Sequence, residues 1–205
     1  MEKTVRKIVL CLLMIMMLIV QAFGASGDIG YAVYRDGVDI LSVHEWHAAI
    51  INRNTKTNSR YVIHANKKYA VDYGDWDDFL HGVGNTSSDN EAKGIYRPRN
   101  GITASERDAV VETARDLVAA DIPYTFAGMM GYAIDDSRNT IEPNEIGSIR
   151  CDGVVEYCYE YNGHRIFGKS SAWNITENST ASYDAHHENA WPSTQAAAMT
   201  RIGPA

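Results

Sequence analysis

A cysteine heading the apolar stretch RCDGVVEYCYEYNG, and two histidines set in the apolar runs EWHAAII and RYVIHA, are the residues of this 205-residue chain best suited to chemistry. A thiol at a helix start meets unsatisfied N–H groups and the positive end of the helix dipole. Both favour the thiolate, which is the nucleophilic form. Cys151 is therefore the candidate nucleophile. Such a nucleophile needs a base to take its proton and a third group to orient that base. His47 is the candidate base, because an imidazole interrupting an apolar strand is costly unless paired. His64, similarly placed on a second arm, is the candidate orienter. At facing positions of an antiparallel hairpin, two side chains on one face approach within about 5 Å. Each histidine alone reads more readily as a core residue with a satisfied ring, so the joint pattern carries the expectation.

The elements that must position these residues are legible in outline. GDIGYAVYRDG predicts a strand ending in a turn at Asp36-Gly37, and WHAAIINRNTKTNSRYVIHA predicts a hairpin with arms over 46–52 and 61–65. YAVDYGDWDDFL predicts a short strand and a helical turn, HGVGNTSSDNEAKG a loop, and GIYRPR an edge strand limited by Pro98. TASERDAVVETARDLVAA predicts a helix with Thr103 as N-cap and Glu106 completing a capping box. PYTFAGMMGYAIDDSRNTIEPNEIG is irregular and glycine-containing, a candidate cleft wall. The Cys151 helix is predicted to run to about Tyr161 and to end at Asn162-Gly163. The last 40 residues show little periodicity and are expected to form a packed irregular tail.

Residues 1–25 carry a short basic region, an uncharged run over 8–20 and small residues at Ala22, Gly24 and Ala25, the order of a secretory signal peptide. Thirteen apolar residues are few for a membrane span, which needs about 20. The expectation is one exported domain over 26–205, secreted, periplasmic or associated with a cell wall, with no stable membrane span after cleavage. The whole chain has 19 basic and 26 acidic side chains; removing the leader leaves 16 against 25, a net charge of −9. Such a surface argues against nucleic acid as a partner. Only Cys151 and Cys158 remain after cleavage. Seven residues apart on a helix they stand about 10 Å from each other, too far for a disulfide. Cys158 is expected to be a buried core thiol.

The blocks also resemble those of the NlpC-type cell-wall peptidases, a branch of the papain-like superfamily, in permuted order. GDIGYAV at 27–33, HAAII at 47–51 and VIHA at 62–65 come first, then PYTFAG at 123–128 and CDGVVEY at 151–157. That order is similar to the YiiX-type and lecithin:retinol acyltransferase-like proteins, over about two thirds of the mature chain. The resemblance implies an α+β, circularly permuted papain-like fold with an antiparallel sheet packed against helices. It implies Cys151 as nucleophile, His47 as base, His64 as orienting residue, Tyr124 on the substrate side and the Cys151 backbone N–H among the oxyanion donors. The family's Asp before the cysteine is Arg150 here and its Ser after it is Asp152. Those positions help hold the substrate's amino terminus in the peptidases, so Asp152 becomes a candidate substrate-binding residue of altered specificity.

The function expected is a cysteine amidase or peptidase working through a thioester on a peptide, a peptidoglycan fragment or an acylated small substrate, without a cofactor. Acyl transfer or lipid-ester cleavage shares the same intermediate. A non-catalytic wall- or lipid-binding domain, or a protein whose thiols form intermolecular disulfides, are the readings outside enzymology. No metal is expected. HEWH at 44–47 is one residue short of the zinc motif, Asp72, Asp75, Asp77 and Asp78 lack calcium-loop spacing, and His186-His187 with Glu188 reads as a solvated polar patch. Asn174 and Asn178 stand in glycosylation sequons, which matter only in a eukaryotic secretory pathway.

Overall fold

A computed structural model describes residues 27–40, 43–53, 56, 58–66, 68, 70–81, 91–134 and 139–205. The expected leader and most of the loop expected after His81 lie outside the described residues. The protein is a mixed α+β structure built on a six-stranded antiparallel sheet. The sheet's strands are β1 (Ala32–Ile40), β2 (Val43–Ile51), β3 (Val62–Asn66), β4 (Ala70–Gly74), β5 (Ala92–Arg97) and β8 (Thr200–Gly203), in the order β4-β3-β2-β1-β5-β8. A small ribbon pairs β6 (Met130–Tyr132) with β7 (Ile146–Ile149). The helices are α1 (Trp76–His81), α2 (Ala104–Ala119), α3 (Cys151–Tyr161), α4 (Thr180–Asn189) and α5 (Pro192–Ala198). No helix among the described residues is long and apolar enough to cross a membrane.

Both faces of the sheet are covered, which is why AAII in β2 is an unbroken apolar run rather than an alternating one. Ala48, Ile50, Ile63 and Ala65 point to one face, where Val110, Ala114 and Leu117 of α2 and Val154, Val155 and Cys158 of α3 bury them. Ala49, Ile51 and Val62 point to the other face, under Trp76 and Phe79 of α1. Helix α2 starts on the predicted capping box: Thr103 Oγ1 accepts from Glu106 N–H, and Glu106 Oε2 accepts from Thr103 N–H at 2.7 Å. Helix α3 stops where Asn162 caps it and Gly163 takes φ 81°, a left-handed turn that glycine makes without steric cost. Every residue from Cys151 to Glu160 is buried, so each polar group on α3 must find a partner inside the protein.

Three expectations are corrected. Strand β1 does not turn at Asp36-Gly37; it passes through them to Ile40, with a register irregularity between Arg35 and Val38. Asp36 is held there by its N–H to Glu91 O at 2.9 Å and by Lys93 Nζ at 2.6 Å, so the Asp-Gly pair shifts the register without ending the strand. Strand β5 is not an edge, because β1 flanks it on one side and β8 on the other. Pro98 falls just past its end. The C-terminal 40 residues are not irregular: they form α4, α5 and β8, which with β4 is one of the sheet's two edge strands. Their helices are short and set by local capping, Ser179 accepting from Ser182 N–H and Pro192 opening α5, rather than by an apolar period.

Candidate active site

The β2–β3 ladder pairs Ile50 with Ile63 and Ile51 with Val62. Continuing that register sets His64 opposite Ala49, so His47 and His64 are diagonal neighbours rather than facing ones. Their rings still meet, His47 Nε2 lying 2.7 Å from His64 Nδ1. Both rings lean on Phe79 of α1, at 5.6 and 5.8 Å between centroids. Room for the pair comes from Gly74, where a Cβ would fall 2.8 Å from His64 Nε2. Gly74→Ala is therefore expected to turn the His64 ring off His47 and to slow any reaction that needs the pair by about 10–100-fold. Unchanged circular dichroism with a shifted histidine resonance in NMR would separate this effect from misfolding.

Cys151 is the first residue of α3, which packs on the face opposite Phe79. The two halves of the site connect through the backbone. Ile51 N–H faces β1, donating to Tyr31 O at 2.9 Å, so alternation turns Ala48 N–H toward β3. There the β2–β3 ladder has already ended, and Ala48 N–H donates to the Cys151 thiol instead of to a β3 carbonyl. Asp152 N–H donates to it as well. The sulfur thus sits at the seam between β2 and β3, beside the peptide that joins His47 to Ala48. No hydrogen bond joins Cys151 to either imidazole, and His64 is the ring partner of His47. Among the described residues no acceptor takes the Cys151 backbone N–H.

The charges at this seam are held neutral. Burial, followed by the Asp152 carboxylate, pushes the Cys151 thiol up to about 12, against the pull of Ala48 N–H, Arg150 and Asp152 N–H. The helix start therefore does not by itself yield the thiolate expected from sequence; removal from water outweighs it. Burial, then His64 and Arg35, hold His47 well below the ordinary histidine value. Burial and Arg35 bring His64 down to about 4.

Arg35, paired in register with His47, lies at the candidate site and was missed by sequence reasoning. Its guanidinium is buried 5.9 Å from the Phe79 ring centre, where Cys151 and Asp36 support its charge against burial. The only signal in the sequence is a basic residue interrupting the apolar strand YAVYR.

Tyr124 stands half-buried at a bridge to Ile149, and burial followed by the neighbouring Cys151 pushes its phenol up. The structure thus brings Tyr124 into electrostatic reach of the thiol. Asp152 is placed differently from a substrate ligand. It is fully buried, and its two oxygens accept from Arg150 Nε at 2.7 Å and Arg150 Nη2 at 2.8 Å. The two departures from the family motif are partners of each other. Cys158 is fully buried in the core, and both cysteines are free. Neither described thiol is exposed for an intermolecular disulfide.

An open cleft of about 510 Å³ lies elsewhere, among Ile29, Asn52, Asp108, Glu112 and Arg115, and holds no nucleophile. His186, read from sequence as part of a solvated patch, is instead buried inside α4 against Glu156 of α3. Compared with protein-family models, curated proteins and solved structures, the chain matches none.

Proposed function

We propose that the protein is an exported cysteine hydrolase of permuted papain-like fold, with Cys151 as nucleophile, His47 as general base and His64 as the residue that orients it. The observation that carries this reading is the meeting of the thiol with the His47–Ala48 peptide while His47 Nε2 is held by His64 at 2.7 Å. With Nε2 engaged, Nδ1 is the ring nitrogen left for the sulfur's proton. Thiol and imidazole both rest neutral, so the proton moves as the sulfur attacks rather than beforehand. The thiol sulfur bonds to the carbonyl carbon of an amide or ester, His47 takes the sulfur's proton, and the carbonyl oxygen becomes an oxyanion facing the Cys151 N–H. Collapse expels the amine or alcohol with the proton from His47, leaving a thioester. Water, deprotonated by His47, resolves the thioester to an acid and restores the thiol. An alcohol or amine in place of water makes the same enzyme an acyltransferase. Peptides, peptidoglycan fragments and acylated small molecules are the substrate classes this chemistry accepts.

A second reading is a non-catalytic binding domain on the same fold. It is favoured by the burial of Cys151, which is 4% exposed and keeps its proton. Alkylation separates the two. Catalysis requires Cys151 to react at least about tenfold faster than the fully buried Cys158 at neutral pH, and His47→Ala to remove the difference. Equal, slow labelling of both thiols, unchanged in His47→Ala, would sink the catalytic reading and leave the binding domain standing.

A further inference from the structure

Helix α3 carries a second constellation on the flank it turns toward α4, away from the β2–β3 seam. Glu156 and Glu160, one helical turn apart, share that flank, and His186 of α4 reaches them. One oxygen of Glu156, one of Glu160 and one ring nitrogen of His186 lie within 4.8 Å of one another. All three side chains are more than nine-tenths buried.

Each is held from behind by a neutral group. Gln195 Nε2 donates to Glu156 Oε2 at 2.6 Å, and Ile175 N–H donates to Glu160 Oε2 at 2.8 Å. Ser182 O lies 2.8 Å from His186 Nδ1, which makes Nδ1 the protonated nitrogen and leaves the Nε2 lone pair open. The atoms that face inward, Glu156 Oε1, Glu160 Oε1 and His186 Nε2, have no hydrogen-bond partner although they are buried. Arg165 Nε approaches Glu160 Oε1 at 3.9 Å from a partly exposed position and does not reach Glu156. The aromatic rings of Trp173 and Phe167 close the other sides of the imidazole, at 5.4 and 6.4 Å.

We propose that Glu156, Glu160 and His186 form a binding site for one divalent transition-metal ion, such as Zn²⁺ or Mn²⁺, that locks the Cys151 helix to α4. Two carboxylates and one imidazole suit such an ion, and its two positive charges offset the two buried negative ones. Tetrahedral bonds of about 2.1 Å place ligands about 3.4 Å apart, so the site closes on an ion by small side-chain rotations. A hydrogen-bond donor on the second oxygen of each carboxylate and a hydrogen-bonded second imidazole nitrogen are the supports a metal site requires. The site does not depend on thiol chemistry.

The test uses the full chain, stripped with a chelator and titrated with Zn²⁺ and, separately, Mn²⁺, with bound metal counted by mass spectrometry after desalting. One equivalent is expected to remain. Its affinity should fall with falling pH, because protons compete with the ion for carboxylate and imidazole ligands, and a 100-fold excess over Kd should raise Tm by about 5–10 °C. Glu160→Gln and His186→Ala should each weaken binding by at least about 100-fold, while Cys151→Ala and His187→Ala should leave it unchanged. Should a ligand variant fail to fold, X-ray absorption of the zinc-loaded wild type still decides, because nitrogen and oxygen neighbours without sulfur are required. Absence of stoichiometric binding would overturn the proposal. So would a sulfur neighbour, or binding indifferent to both ligand variants.

Discussion

His47→Ala is expected to lower cleavage of an activated acyl ester by about 10²–10⁴-fold, and Cys151→Ala to abolish the thioester altogether. The size follows from the resting state. Because the thiol is pushed up to about 12 and His47 is held below 6.5, almost no thiolate exists at neutral pH without a base in place. Under the proposed mechanism, removing His47 removes the base that takes the sulfur's proton during attack. The same shifts fix the pH profile. Neutral imidazole is the working form, and a histidine with a lowered value stays neutral until the pH falls through that value. Activity should thus hold at neutral pH, with its acid limb below 6.5. A preformed thiolate–imidazolium pair would instead lose activity as the pH rises through the imidazolium's value. His64→Ala should cost less, because it frees Nε2 without removing the base. Initial bursts of p-nitrophenol from a p-nitrophenyl acyl ester, with the acyl-protein seen by intact mass, measure each point. An undiminished burst in His47→Ala rules this assignment out.

The helix bearing Cys151 was readable to the residue, as was the capping box of α2, because both are written in local sequence: a small-residue entry, a Thr-x-x-Glu start, an Asn-Gly stop. The partnership of the histidines was readable in kind but not in register. Two ladder pairs and then a divergence of β2 from β3 depend on where α3 docks, and no local pattern encodes that. Burial was the largest blind spot. The basic break in YAVYR does not say that Arg35 will be buried against the Phe79 ring, and His186 looks solvated beside His187 until α4 folds onto α3. The tail is hard to read for a related reason: its short helices rest on local caps and on contacts with distant residues, such as Gln195 with Glu156 and with the Asp152 carbonyl, rather than on their own periodicity. Motif departures, by contrast, carried more than they showed. Arg150 and Asp152 looked like two separate losses of substrate contact and are one ion pair.

That pair sets the largest stability effect. Arg150 and Asp152 are 3% and 0% exposed and meet through two parallel hydrogen bonds, while the Arg150 guanidinium also lies over Trp191 at 4.5 Å and donates to Ala190 O. Asp152→Ala leaves a guanidinium buried without its counter-charge and should destabilise the protein by about 3–5 kcal/mol in urea unfolding. The double variant Arg150→Met, Asp152→Ala removes both charges and keeps apolar volume, so it should recover most of that loss, and the two single changes should be strongly non-additive. Reactivity should move the opposite way. Asp152 is one of the groups that raise Cys151, and Arg150 one that lowers it. Without the carboxylate, the remaining cation and the Ala48 N–H favour the thiolate, so folded Asp152→Ala should alkylate at Cys151 at lower pH than the wild type. A stabilising pair thus restrains the thiol it adjoins. A loss below 1 kcal/mol, or additive single changes, would mean that the pair does not hold this helix start.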